Sequence, residues 1–211
     1  MKRLVLIAVC LAASACSKAD APPSPVVANA PPAAAANRSA TSGRVSGKGP
    51  VPGSAGAVVV VLEPKGVRTF AAQSEKPVMD QAGLTFGPEL LLVRTGQPVE
   101  FRNSDDTLHN VRVSHEETRT SAFNVAIPTG ESYTYTFERD GFYRVGCDIH
   151  PAMAASIFAA TTPYTTLADS EGRFTFEDVP AGSWIVTVYA GGKRLHKDVE
   201  ITGGVTYVTI E

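Results

Sequence analysis

Tyr143-Arg144-Val145-Gly146-Cys147-Asp148-Ile149-His150-Pro151-Ala152-Met153 decides how this 211-residue chain is read. The first part alternates. Tyr143, Val145 and Cys147 fall on one face of an extended segment, and a period of two is the signature of a strand. The second part packs a thiol, an imidazole and a thioether into seven residues. A second imidazole, His109, lies upstream and opens another alternating face, His109-Val111-Val113. Two inward-facing strand ends and one tight loop can therefore bring four donor side chains to one pole of a sheet structure.

The same pattern spreads outward from this stretch. From Arg44 onward no helical period recurs, while short strand-like runs do: Ala57 to Leu62, Glu89 to Val93, Val99 to Phe101, Tyr133 to Phe137, Ile157 to Ala160, Phe174 to Phe176, Trp184 to Tyr189, Val199 to Ile201 and Val205 to Ile210. Gly, Pro and Asp separate nearly all of them, and Gly 18 with Pro 15 supports many turns. The expected architecture is all-β and antiparallel, with more strands than one small sandwich holds, hence two units.

Composition narrows the function. Lys+Arg 19 against Asp+Glu 21 gives a net charge of -2, so no nucleic-acid partner is expected. Hydrophobic residues at 44% supply a core, and charged residues at 19% are too few for a charge-rich disordered chain. Three Cys are too few for a disulfide scaffold. The start reads as an address. Met1-Lys2-Arg3 is basic, Leu4 to Ala13 is apolar, and Ala13-Ser14-Ala15 is a small-residue cleavage pattern. Residues 1–15 are thus expected to be a signal peptide, too short to span a bilayer as a stable helix. Residues 16–41, rich in Ala, Pro and Ser, read as a disordered tether that reaches at most ~75 Å in the polyproline form. Cutting before Cys16 removes Cys10. Lipid on Cys16 would leave Cys147 alone in an oxidising compartment, where a metal ligand is one explanation for it.

The donor set is informative by itself. Two imidazoles, one thiolate and a weak axial thioether make the coordination set of a mononuclear blue-copper electron-transfer site. Soft sulfur favours Cu(I) and imidazole favours Cu(II), so one compromise geometry serves both states. Zinc competes, because Cys with two His can hold it tetrahedrally; Met is a poor zinc ligand, which favours copper. A buried Cys and scattered His residues without any metal is the plain alternative. His115 lies ~20 Å along the strand from His109 and is expected at the surface. His196 is expected to be solvated on a strand, and Asp105-Asp106 and Glu116-Glu117 read as turn and surface charges.

Phe101 to Val111, Gly141-x-Tyr143-x-Val145-x-Cys147 and the Cys-x-x-His-Pro-x-Met loop together resemble the cupredoxins, closest to the amicyanin and plastocyanin branch, over roughly residues 78 to 160. The resemblance implies a Greek-key β-sandwich in which His109, Cys147 and His150 are equatorial ligands of one copper ion and Met153 is axial. It further implies that Asn110 ties the two ligand loops together, that electrons pass through a partly exposed His150, and that Pro151 stiffens the loop. Leu11 to Cys16 resembles the lipidation box of bacterial lipoproteins, with Ala13 where that family prefers Leu; plain secretion after the same bond is the alternative.

Gly172-Arg173-Phe174-Thr175-Phe176 and Val179-Pro180-Ala181-Gly182-Ser183-Trp184 resemble the carboxypeptidase regulatory-like family of transthyretin-type sandwiches, a structural or interaction module. Residues 161–211 are too short for that whole fold, so residues 42–64 are expected to supply its first strands, with residues 65–160 forming the copper domain. A simpler reading begins the copper domain at 42. The functional expectation is a periplasmic, lipid-anchored protein carrying single electrons between redox partners, with no enzymatic activity because four protein ligands leave no open position. Its partner is then a periplasmic redox protein. Delivery of Cu(I) to a copper acceptor, or a binding module with a structural metal, are the alternatives; secretion as a soluble protein is the alternative location.

Overall fold

The computed structural model describes residues 41–53 and 56–211. The expected signal segment, the lipidation residue Cys16 and the tether through residue 40 lie outside the described residues. Among the described residues there are strands and no helix. In chain order the strands are β1 (Ser42–Lys48), β2 (Val59–Pro64), β3 (Val78–Ala82), β4 (Thr85–Gly87), β5 (Leu90–Arg94), β6 (Pro98–Asn103), β7 (His109–His115) and β8 (Ser121–Ile127). They continue as β9 (Ser132–Thr136), β10 (Gly141–Gly146), β11 (Ala154–Ala160), β12 (Thr165–Leu167), β13 (Arg173–Pro180), β14 (Gly182–Ala190), β15 (Lys193–Ile201) and β16 (Gly204–Thr209).

Strands β3 to β11 make one sandwich. Its sheets run β5-β11-β10-β7-β8 and β4-β3-β6-β9. Between them lie Met79, Val99, Phe101, Val111, Val113, Phe137, Tyr143, Val145 and Ile157, all buried. The alternation read in the sequence is what fills this layer: Val111 and Val113 of β7 and Tyr143 and Val145 of β10 point inward, while Arg112 and Arg144 point out.

The remaining strands make a second sandwich from sheets β13-β1-β16 and β12-β2-β14-β15. Trp184 sits at its centre with Val45, Leu62, Phe174, Phe176, Val186 and Ile201, and its indole N–H donates to the Pro180 carbonyl at 2.9 Å. A buried indole costs little when its one donor is satisfied in this way. Strands β1 and β2 pair with β13, β14, β12 and β16, so the chain leaves this sandwich after β2 and rejoins it at β12.

One turn in the second sandwich admits glycine alone. Gly172 has φ +78, and a Cβ there would lie 2.4 Å from the Gly49 carbonyl oxygen, which is backbone and cannot swing away. Gly49 N–H also donates to the Gly172 carbonyl at 2.8 Å. Gly172→Ala is therefore expected to cost ~1–3 kcal/mol or more, through strain and displacement of the neighbouring segment. A thermal melt within a degree of the parent's would contradict this.

The two sandwiches share a third apolar layer. Val59 and Val61 of β2 and Tyr189 of β14 meet Leu90, Leu92, Phe142, Phe158 and Ala160 of the β5-β11-β10-β7-β8 sheet. Strands β2 and β11 are buried on both faces: Val60 and Leu62 face one core and Val59 and Val61 the other, while Ile157 and Ala159 face inward and Phe158 and Ala160 outward. The layer lies on the flank of the first sandwich, away from the ends of β7 and β10 that carry the ligands.

His115 is a correction. It was expected at the surface and is buried, at the far end of β7 from His109. The face His109-Val111-Val113 continues through it, and its ring packs edge-on to Tyr143 at 4.9 Å. Both ring nitrogens are satisfied: Nδ1 accepts from the Thr118 backbone N–H at 3.2 Å, and Nε2 lies 2.9 Å from the Asp140 carbonyl. Satisfied polar groups are what allow a histidine to be buried. His196, by contrast, is exposed on β15, as expected.

Candidate metal centre

The centre forms where β7 begins and β10 ends. Hairpin pairing of β10 with β11 runs to Gly146 opposite Ala154, so residues 147–153 are the connecting loop. The loop is closed by two backbone hydrogen bonds, from Cys147 N–H to the Met153 carbonyl (3.3 Å) and from Met153 N–H to the His150 carbonyl (2.9 Å). Cys147 and Met153 are both buried in the core at the foot of the loop. Pro151 is exposed in the turn, where its lack of a donor leaves nothing unsatisfied. His150 is half-buried and comes over the buried His109, with ring centroids 4.7 Å apart.

Three donor atoms converge. Cys147 Sγ lies 3.9 Å from His109 Nδ1 and 3.9 Å from His150 Nδ1, and the two Nδ1 atoms are 3.0 Å apart. The centre of a triangle with these sides is ~2.1 Å from each corner, the range of metal–nitrogen bonds and just under that of metal–thiolate bonds. Among the described residues this is the one group of three His, Cys or acidic side chains whose ligand atoms lie within 4.8 Å of one another. The residues thus fit a single ion, and the mix of imidazole with thiolate suits copper.

The groups around the triangle fix its members. His109 Nε2 lies 2.8 Å from Asp105 Oδ2. A carboxylate only accepts, so Nε2 carries the proton and Nδ1 turns its lone pair to the centre, an arrangement that recurs at metal-bound histidines. Asp105 is itself held: its Oδ1 accepts from Gly83 N–H (2.6 Å) and its Oδ2 from Leu84 N–H (3.0 Å). These backbone donors first, and His109 after them, hold its carboxyl below the usual carboxylate range. In the sequence Asp105 has the look of a turn charge. It is a turn residue, and it also orients a ligand. Asp105→Ala is expected to weaken copper binding 10- to 100-fold, the usual cost of losing such a partner. A competition titration that finds the parent's affinity would remove Asp105 from the site.

Asn110 joins the two ligand-bearing segments. Its Oδ1 accepts from Asp148 N–H (2.7 Å) and Ile149 N–H (3.3 Å) and lies 3.3 Å from Cys147 Sγ. Sequence reading missed its own supports, Asn124 of β8, Asp148 and Arg112 of β7. Asp148 accepts from Arg112 Nε at 2.7 Å, and Arg112 first, then Asn124, keep its carboxyl below the ordinary range.

The surface at this pole carries exposed apolar side chains beside the exposed Asp106 and Asp148. Leu84, Leu108 and Ile149 are 53%, 47% and 47% exposed. Leu108 precedes His109, Ile149 precedes His150, and the Leu84 N–H donates to Asp105, the partner of His109.

A buried cysteine and two histidines at one pole of a strand sandwich define a mononuclear metal centre of the thiolate–imidazole kind. Residues 73–158 match the family of copper binding proteins described as the plastocyanin/azurin family. The match and the sandwich support a cupredoxin domain over this stretch, and copper is the metal of that family. No curated protein sequence matches the chain. Among solved structures, amicyanin from Paracoccus versutus (Thiobacillus versutus) is 18% identical with a TM-score of 0.37, the match covering 42% of this chain and 85% of that one. The reduced state of an amicyanin mutant is 21% identical, TM-score 0.38, over 47% of this chain and 99% of that one. A Cu-containing nitrite reductase (NirK) from Thermus scotoductus SA-01 is 28% identical, TM-score 0.38, over 46% of this chain but only 25% of its own.

Proposed function

We propose that this protein is a type 1 (blue) copper protein that carries single electrons between redox partners in the periplasm. The observation that carries the reading is the convergence of His109 Nδ1, His150 Nδ1 and Cys147 Sγ in a buried corner, with His109 already set to present Nδ1 by Asp105. Met153 is proposed as the weak axial donor, from its buried place in the same loop as Cys147 and His150. Copper bound there supplies a one-electron couple that changes state with little rearrangement of its ligands. The chain's own residues do the rest. The sandwich core and the closed loop fix the donors, and the Leu84, Leu108 and Ile149 surface excludes water from a docked partner and brings it against the edge of His150.

Four protein ligands leave no open position for substrate, so we read the protein as a carrier and not an enzyme. The N-terminal signal and Cys16 motifs support export and a lipid anchor; the second sandwich, from its Gly172–Phe176 and Val179–Trp184 motifs, is proposed as a structural or interaction module.

The test is the visible spectrum of the protein loaded with Cu(II). An intense charge-transfer band that bleaches with ascorbate and returns on reoxidation supports the carrier. A colourless protein that takes up zinc, or that binds only Cu(I) and yields it rapidly to an acceptor, would replace that reading with a structural metal or with copper delivery.

A further inference from the structure

Asn110 can serve the centre in only one of its two amide orientations. With Oδ1 toward the loop it receives Asp148 N–H and Ile149 N–H; flipped, it would set an NH₂ against two N–H donors. The two backbone donors favour that orientation, and a closed ring of side chains on the other side of the amide reinforces it. Asn110 Nδ2 donates to Asn124 Oδ1 (2.8 Å) and to Asp148 Oδ2 (3.1 Å), and Asn124 Nδ2 donates to the same Asp148 Oδ2 (3.0 Å). Every link has a defined direction. Asp148 Oδ2 only accepts, so Asn124 must turn its NH₂ to it; that turns Asn124 Oδ1 to Asn110, whose NH₂ must then face outward and whose Oδ1 must face the loop. Arg112 Nε, on Asp148 Oδ1 at 2.7 Å, anchors the carboxylate that starts this sequence. The adjacent strands β7 and β8 are thereby tied to the ligand loop, which lies more than twenty residues further along the chain.

We propose that Asn124 is a positioning residue of the copper centre. It touches no donor atom, and it locks the Asn110 amide so that the backbone of Asp148 and Ile149, between the ligands Cys147 and His150, is held in place. The proposal rests on the copper reading for its purpose, while the lock itself exists in the protein with or without metal. Asn124 is exposed on β8, so its truncation leaves no internal hole.

The experiment uses the full chain with Asn124→Ala, Asn124→Asp, and the exchange Asn124→Asp with Asp148→Asn. In metal-free protein, amide hydrogen exchange at Asp148 and Ile149 is expected to speed up about tenfold in Asn124→Ala, the size of one weakened hydrogen bond. Copper affinity should fall about tenfold, the lower end for a lost outer partner, with a change in the visible spectrum. Asn124→Asp sets two carboxylates against each other and should do worse. The exchange variant restores the link between 124 and 148, with the carboxylate at 124 accepting from Asn110 and from the new amide at 148, but leaves the Asn110 NH₂ facing that amide's NH₂, so it should recover only part of the affinity. Asn124→Ala with unchanged exchange at Asp148 and Ile149 would overturn the lock, whatever the affinity does. If the parent binds no copper yet the exchange rates respond as expected, the copper reading fails and the lock stands.

Discussion

Cys147→Ser is expected to abolish the intense visible absorption of the Cu(II)-loaded protein outright. That band requires a thiolate on the metal, and Cys147 is the only sulfur among the three convergent donors. Serine keeps the size of the side chain and stays buried, so the sandwich should fold as before, and the far-ultraviolet dichroism should overlay that of the parent. Affinity for Cu(I) should suffer most, since the lost donor is the soft one. His150→Gly should act differently: the rim residue is half-buried and its loss opens the centre without removing the thiolate, so a visible band in an altered position should survive. A Cys147→Ser protein that keeps the parent's spectrum would show that the metal lies elsewhere.

The second large effect concerns the layer between the sandwiches. Phe158 is 2% exposed although it points away from the core of its own sandwich; its ring meets Phe142 at 4.7 Å and Tyr189 at 4.9 Å. Phe158→Ala is expected to cost ~3–5 kcal/mol, the range for truncating a buried aromatic. For a folded unit of this size that lowers the melting temperature by roughly 6–20 °C. The parent should melt in one calorimetric transition because the shared layer couples its halves; in the variant the trace should broaden or divide. Copper colour should persist below the transition, because Phe158 faces away from the centre. An unchanged single transition at the parent's temperature would mean that the layer contributes little to cohesion.

Much of the centre could be read from residue order because its logic is local. A period of two put His109, Val111 and Val113 on one face and Tyr143, Val145 and Cys147 on another, and the short loop required His150 and Met153 to return to the same end. What escaped the reading is non-local or double-purposed. Asp105 looks like a turn residue because it is one, capping Gly83 and Leu84 N–H; its second role depends on where His109 swings. The Asn124–Asp148 contact joins residues in different strands and loops, and no spacing rule announces it. His115 could have been placed, since it continues an inward face, but its polarity argued for the surface until Thr118 and Asp140 were seen to satisfy it. The unbroken apolar runs Val58 to Leu62 and Ile157 to Ala160 also carried a signal. A strand with one wet face alternates, and a strand with none does not. Both runs announced a neighbour on each side, and each turned out to be the other's neighbour.

The pairing of β2 with β12 has a temporal consequence. Val61 stands opposite Thr165, and Leu62 N–H donates to the Tyr164 carbonyl at 2.8 Å, so everything between is, in effect, the loop of one hairpin. In chain order β1 and β2 come first, yet their partners follow about a hundred residues later, so pairing them closes a long loop. Meanwhile the metal-binding sandwich has all its strands at hand. It is the part able to fold early, and its closure draws the two ends of the interrupted hairpin together. If that unit closes first, β1 and β2 are already anchored to its far end when the last five strands come to pair with them.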